Sequence, residues 1–570
     1  MHVAKIVRKH NGKTYVSYLL RRSYRDGDTV KHQTLGNLSH LPPRVLDIVQ
    51  RSLQGEAFLA PGEAFRILAT KPHGHVEAIL TTLRKLGLEE LLAVTPSRQR
   101  SLVVALIAQR ILSPCSKLAA TRLWQDTTLA EELGVADAGY KEVYTAMDWL
   151  LTRQKQIEQK LAQRHLQEGA VVLYDVSSSY YEGQHCPLAH YGHNRDGKKG
   201  LPIIVYGLLT DACGRPVALD VYAGNTADPA TIPDQVTKLR QRFALNRVVL
   251  VGDRGMLTQT RIDTLKRYPG LGWISALRSE AIRELIENGA LERSQFDEVD
   301  LAEVTSPDFP GERLVACYNP LLDERRRQKR QRLLAATEKG LAKLGAEVGR
   351  RTQTPLNAAE IGLKAGRVIG RYKMAKHFQL QIADNSFTWC RDEAAITREE
   401  QLDGIYVIRT SEPGTAFAAA DCVRTYKRLS LVEQAFRCLK GLDLRVRPIH
   451  HRVEQRVRAH LFLCLLAYYV EWHLRAALKS LLYEDEDLDD ARRERDPVKP
   501  ARPSASAREK KKTHQTSRGE PAHSFATLLA HLGTRSRNTL QVVADPDGAT
   551  FQQLTEPDAL QAEALRLLNL

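Results

Sequence analysis

The stretch from VVLYD (171–175) to GWISAL (272–277) decides the fold. VVLYD reads as a short buried strand ending on Asp175. LPIIVYGLLTD (201–211) and RPVALDVYAG (215–224) follow, joined at Ala212-Cys213-Gly214, and read as a hairpin. PATIPDQVTKLRQRFAL (229–245) has helical spacing, RVVLVGD (247–253) is the next strand, and LTQTRIDTLKRY (257–268) is a second helix before GWISAL. A purely parallel doubly wound sheet would put a helix between each pair of strands. Three strands first, two of them a hairpin, predict a mixed α/β sheet instead.

This β, β, β, α, β, α, β order is that of the ribonuclease H fold. In such a sheet Asp175 lies on the first, central strand and Asp253 at the C-terminal end of the fourth, its neighbour, so the two carboxylates converge. Asp211, Asp220, Asp228 and Asp234 also follow apolar runs or open helices, where an aspartate is commonly a turn or cap residue. A third acid, Glu433, lies in a helical stretch expected to run from Tyr426 to Lys440. Tyr426, Glu433 and Lys440 are spaced by seven, a step that drifts only about 20° around an α-helix, so they are expected to share one face. Arg437, four after Glu433, lies on nearly the same face. The spacing alone fits both a surface ion-pairing face and a face built around DNA.

Two strand-end carboxylates and one helical carboxylate suit hard divalent cations. Mg²⁺ prefers oxygen ligands in octahedral geometry, and two such ions roughly 3.5–4 Å apart can serve an in-line phosphodiester displacement. Histidine and cysteine would favour zinc or copper. Two Mg²⁺ ions, replaceable by Mn²⁺, are therefore expected at Asp175, Asp253 and Glu433. A formal net charge of +16 makes a polyanion the expected substrate.

The apolar fraction of 43% over 570 residues supports several folded domains and excludes a disordered chain. None of the eight cysteines forms a CxxC pair or a His/Cys zinc spacing, so they read as thiols in a reducing compartment. The amino terminus lacks an apolar signal core. Leu461 to Val470, the longest apolar run, is half the length needed to span a bilayer. The expected location is cytoplasmic, associated with the nucleoid, without a membrane.

Residues 1–43 read as a small β-hairpin element around Asp26-Gly27-Asp28, and 44–168 as a helical DNA-binding region. The core is expected in two parts, 169–278 and 401–482, with an insertion over 279–400 that joins a charged helix to a largely β segment. Residues 483–522, rich in charge, Pro and Ser, read as a disordered basic linker. Residues 523–570 read as a small C-terminal module.

The pattern Tyr426–Glu433–Lys440, enclosing VEQAFRCLK (432–440), resembles the YREK signature of DDE transposases from bacterial insertion sequences, in the insertion-sequence-four superfamily. Asp175 in LYDVSSSYYEG, the segments YGHNRDGKKGLPIIVYGLL and AGNTADPATI, and Asp253 in VGDRG are similar to its other blocks, in the same order. KHNGKTYVSYLLRRSYRDG and ILSPCSKLA resemble one branch of it. The likeness covers most of residues 1–475, and the family's β insertion between the second and third acids gives the largely β expectation for 279–400.

The resemblance implies a metal-dependent transposase. Water attacks the phosphodiester at the element end, and the freed 3′-OH then attacks target DNA. Asp175, Asp253 and Glu433 become the metal ligands, and Tyr426 and Lys440 hold phosphates beside the scissile bond. The implied partners are double-stranded DNA, as terminal inverted repeats and target, and a second copy of the chain in a synaptic dimer. The signature's Arg and Trp positions hold Leu429 and Ser430, with Arg428 one place early and Arg437 a substitute, which leaves a hairpin step open.

Further DNA-binding candidates are Arg254, the loop residues His193, Asn194, Arg195, Lys198 and Lys199, and the basic–aromatic run of Arg371, Lys373, Lys376 and His377 with Tyr372 and Phe378. Arg325, Arg326, Arg327, Lys329, Arg330 and Arg332 circle one helix and fit a solvated face equally well. Trp273 or Trp389 could stack on a base, although a core position is the commoner role for a tryptophan. Two other functions fit the same residues: a ribonuclease-H-like nuclease that cuts without joining, and a DNA-binding regulator with a dead core.

Overall fold

A computed structural model of the chain describes residues 1–56, 58, 64–543 and 550–570. Contacts divide it into two compact units, Met1–Lys71 with Ser536–Glu556, and Pro72–Arg535 with Pro557–Leu570.

The larger unit is mixed α/β and is built on an eight-stranded sheet. Its strands are β1 (Ala170–Tyr180), β2 (Ile203–Asp211), β3 (Pro216–Ala223), β4 (Val248–Val251), β5 (Leu271–Ala276), β6 (Leu301–Val304), β7 (Arg313–Tyr318) and β8 (Ile405–Thr410). Across the sheet they run β6-β7-β8-β5-β4-β1-β2-β3. β1, β4 and β5 are parallel neighbours, and the hairpin β2–β3 is antiparallel beside β1. The five strands read from the sequence thus pair in the mixed arrangement that their order predicted. β2 is buried at every residue because helices cover both faces. Each fully buried Ile or Leu there contributes about 1.5–3 kcal/mol.

One hydrophobic core joins this sheet to the helices Arg98–Leu112, Tyr140–His165 and Glu454–Ala477. Leu461 to Val470, the longest apolar run, is buried throughout in the last of these. Among the described residues no single helix is long and apolar enough to cross a membrane.

Several expectations need correction. β6 and β7 extend the central sheet, and most of the rest of 279–400 is helical, led by the 31-residue helix Pro320–Arg350. The segment is therefore not largely β; its remaining strands, Phe378–Ala383 and Ser386–Arg391, form one hairpin. Apolar residues Leu334, Leu341, Met374, Phe378 and Ile396 give it a core of its own. Residues 483–522 are not a disordered linker. They carry helices Leu488–Glu494 and Ala505–Thr513, and Lys510 is buried where its ammonium donates to the carbonyls of Lys479 and Leu482 at 3.2 and 3.1 Å.

The smaller unit has two three-stranded sheets. His2–His10 pairs with Lys13–Asp26, which pairs with Thr29–Asn37, so residues 1–43 hold one strand more than a hairpin. Phe65–Pro72, inside the stretch read as helical, lies beside Ser536–Val542, which pairs with Thr550–Leu554. The stretches 44–168 and 523–570 are thus each divided between the two units; residues 544–549 of the second lie outside the described residues.

Candidate active site

Parallel pairing between β1 and β4 ends at Leu173 opposite Val251. Two residues further along each chain come Asp175 and Asp253, at one level on neighbouring paths. Asp175 is mid-strand, not at a strand end, because β1 continues to Tyr180 along β2 after β4 has stopped. The crevice left at the carboxyl end of a parallel strand is where open α/β sheets commonly bind ligands. Asp253 closes a tight turn, its Oδ1 accepting the N–H groups of Gly255 and Met256 at 3.0 and 2.7 Å. The Asp175 Oδ1 accepts the N–H of Val176 at 2.7 Å. The second oxygen of each carboxylate takes no hydrogen bond from a described residue.

Glu433 comes from the helix Leu429–Lys440, whose Leu431, Val432, Ala435, Phe436 and Leu439 are buried. Phe436 meets Tyr206 of β2 edge-on at 5.8 Å. This packing leaves Glu433 exposed beside the sheet. The Asp175 carboxyl is pushed up to about 7, first by burial and then by Asp253 and Glu433, against the pull of the Val176 N–H and Arg195. The Tyr426 hydroxyl is pushed up to about 12 by burial and by Asp253, Glu433 and Asp175, with Arg254 opposing. The three acids and Tyr426 therefore share one electrostatic neighbourhood.

Tyr426 is not on the Glu433 helix, contrary to the single stretch expected from Tyr426 to Lys440. It is the penultimate residue of a separate helix, Ala419–Lys427, and the chain turns at Arg428. Tyr426, Arg254 and Arg326 line one cavity of about 200 Å³. His193 and Arg195 line another of about 300 Å³ with Asn225 and Asp228. Lys198 lies over the Tyr180 ring at 5.8 Å, and the Asn194 side chain donates to the Lys198 carbonyl at 2.5 Å. Lys440 ion-pairs with Asp196 at 3.0 Å.

Other candidates line separate clefts. Arg428 lines a small cleft with Arg424, Lys427 and Arg495. Arg437, one turn after Glu433, lines a cavity of about 370 Å³ with Leu431, Cys438 and Trp472. Arg371, Lys373 and Lys376 belong to the insertion, where Arg371 covers Tyr372 and Lys376 pairs with Glu399 at 2.6 Å. Trp273 is 3% exposed in β5 and has no face for a base; Trp389 packs against Phe378 at 5.9 Å. Of the rejected aspartates, Asp211 caps the β2–β3 turn, Asp220 pairs with Lys238 and Asp228 with Arg195. Asp196 and Arg447 carry no signal in the sequence: Asp196 lies in the polar loop YGHNRDGKKG without a pattern of its own, and Arg447 belongs to an irregular segment.

The donor set suits hard cations: three carboxylates with no nitrogen or sulfur ligand among them. Their mutual repulsion at Asp175 is the situation that a divalent cation relieves. The acid-bearing group whose ligand atoms all fall within 4.8 Å, among the described residues, is instead Cys438, Asp443 and Glu471. Arg475 already supplies the cation there, at 2.7 Å from Glu471 and 3.2 Å from Asp443.

The Glu433 helix is seated by Gly214 in the β2–β3 turn. Gly214 has φ +82°, and a Cβ there would meet the Leu431 Cβ at 2.9 Å. Gly214→Ala is expected to cost about 1–3 kcal/mol from left-handed strain and the clash. It is also expected to slow cleavage by displacing Glu433. Urea denaturation and a DNA-nicking rate check both.

Comparison with known proteins gives the family. The family model described as "Transposase DDE domain" matches residues 166–470, and that of the "IS1634 family transposase, N-terminal domain" matches residues 3–57. No curated protein matches the chain. Among solved structures, a cryo-EM structure of the piggyBac transposase synaptic complex with hairpin DNA aligns at 9% identity and a TM-score of 0.34, over 80% of this chain and 76% of that one. A likeness at that level has no bearing on the assignment. Because the DDE-domain match spans more than half of the chain and takes in Asp175, Asp253 and Glu433, the protein belongs to the DDE transposases of bacterial insertion sequences.

Proposed function

We propose that this transposase cuts DNA at the ends of a mobile element and joins the freed 3′-OH to target DNA, using a ribonuclease-H-like core. The observation that supports the reading is that Asp175 and Asp253 come level where the β1–β4 ladder ends, with the charge of Glu433 acting on Asp175. Asp175, Asp253 and Glu433 would hold Mg²⁺ or Mn²⁺, which supplies charge stabilisation and an activated oxygen nucleophile when bound.

The chain's own groups do the rest. Asp253 is fixed by two backbone N–H groups, so its free oxygen keeps one direction. Tyr426 stays protonated at neutral pH and can donate to a non-bridging phosphate oxygen. Arg254, next to Asp253, and Arg195, near Asp175, offset the charge of an incoming phosphodiester. The substrate is double-stranded DNA, and two copies of the chain act together on paired element ends.

The test is an end-bearing duplex incubated with a target plasmid in Mg²⁺. The expected products are a new 3′-OH end and a covalent joint between end and plasmid. Cutting without joining would make the protein a nuclease. Binding without cutting, in Mn²⁺ as well, would make it a regulator.

A further inference from the structure

Beyond β4 no named strand among the described residues pairs with the outer edge of β1, where only the bridge of Tyr181 to Ile449 follows, so the N–H groups before it need other acceptors. Asp196 supplies one: its Oδ2 accepts the Tyr180 N–H at 3.1 Å. The side chain of Asp196 is only 1% exposed, and its Oδ1 receives two cations, Lys440 at 3.0 Å and Arg447 at 2.5 Å. Arg447 also donates from Nε to the carbonyl of Lys440 at 3.1 Å. The two cations are thus locked to each other and to the last residue of the Glu433 helix.

Two cations share one carboxylate, so this group keeps a surplus positive charge. Arg447 is 32% exposed and Lys440 11% exposed, so the surplus faces outward. Arg195 adjoins, bonded to Asp228 at 2.5 Å, with its own N–H held by Ser178 Oγ at 3.3 Å. Tyr180 is five residues beyond Asp175 on the same strand, about 17 Å away at 3.3–3.4 Å per residue. Duplex DNA advances about 3.4 Å along its axis per phosphate of one strand, so a span of that size covers a few nucleotides.

We propose that Asp196 is a positioning residue that holds Lys440 and Arg447 side by side as a cradle for the phosphate backbone of the substrate, a few nucleotides from the scissile bond and not directly beside it, where the resemblance put Lys440. The inference rests on the DNA-cutting function proposed above and assigns part of its DNA path. Asp196 touches neither the DNA nor the reacting atoms. It sets the spacing of two charges that would otherwise repel, and it ties their position to the helix that carries Glu433.

A double-mutant cycle tests this, with end cleavage measured at steady state on the full-length protein. Asp196→Asn is expected to raise KM for end DNA about tenfold and to leave kcat within about twofold, the size of one charge-assisted contact. In a Lys440→Met, Arg447→Met background, Asp196→Asn is expected to change KM by less than about twofold, because there is nothing left to position. An additive loss in that background overturns the proposal, as does a fall in kcat at unchanged KM. Tighter DNA binding by Asp196→Asn also overturns it, since Asp196 would then be masking the cations.

A second measurement stands if Asp196→Asn does not fold. The slope of log K against log salt for Lys440→Met, Arg447→Met should be shallower by about two, near 0.9 per lost phosphate contact. An unchanged slope overturns the cradle. If the parent protein neither binds nor cuts end DNA, the proposed function itself fails. If it does both and the cycle is additive, only the role of Asp196 fails.

Discussion

Asp253→Asn is expected to lower the rate of end cleavage by about 10³-fold or more, equivalent to about 4 kcal/mol of transition-state stabilisation. The substitution is nearly isosteric. Its amide oxygen can still accept from the N–H groups of Gly255 and Met256, which Asp253 Oδ1 holds at 3.0 and 2.7 Å. What disappears is one negative charge at the crevice beyond β4, where a hard divalent cation depends on carboxylate donors. Stability should not fall, because Asp253 is one of the groups that push the Asp175 carboxyl up to about 7. Nicking rates in Mg²⁺, with thermal unfolding of the same preparation, separate the two effects. Parent-like cutting by a folded Asp253→Asn protein removes Asp253 from the site.

Glu312→Gln is expected to have the largest effect on stability, about 3–5 kcal/mol, because it breaks a buried ion pair and leaves the cations behind. The Glu312 side chain is fully buried just before β7. It accepts from Arg409 of β8 through both oxygens, at 2.7 and 2.8 Å, and from Lys266 at 3.0 Å. The Arg409 guanidinium also lies over the Phe309 ring at 5.0 Å. The network joins the end of the helix Gln259–Leu265 to two sheet strands. β8 then leads into the helices bearing Tyr426 and Glu433, so loosening it should lower activity as well. Urea unfolding measures the loss, and a change below about 1 kcal/mol would mean that the pair is solvated.

The fold was legible where burial leaves a period in the sequence. The runs at 171–175 and 247–253 and the hairpin over 201–224 are apolar because helices cover both faces of the sheet. Their order was enough to give the neighbours of β1. β6 and β7 were not legible as sheet strands, because four- and six-residue strands inside a charged segment carry little signal. The helices of 483–522 are mostly polar. They hold their shape through contacts such as the buried Lys510 ammonium, which composition cannot reveal.

At the site, Asp175, Asp253 and Glu433 were chosen from strand order and a spacing of seven, and the structure brings them into one neighbourhood. The spacing nevertheless described the wrong object, since the chain turns at Arg428 and Tyr426 arrives from a separate helix. A heptad cannot report a one-residue break that stays near helical dihedrals. Arg371, Lys373 and Lys376 lie on the insertion, not beside the acids in the sheet. The aromatic members of the run, Tyr372 and Phe378, pack in the insertion's own core, and Lys376 pairs with Glu399. Asp196 had no local signature, because its partners Lys440 and Arg447 are remote in sequence.

The central claim is that one acid from a long strand, one from a strand end and one from a later helix form a single metal-dependent centre for cutting and joining DNA. The most direct measurement is the joining assay with a labelled end duplex and a target plasmid in Mg²⁺, run with the parent protein and with Glu433→Gln. The account predicts joined product from the parent, none in the presence of a chelator, and none from a folded Glu433→Gln protein. Joined product from Glu433→Gln at the parent's rate would contradict it.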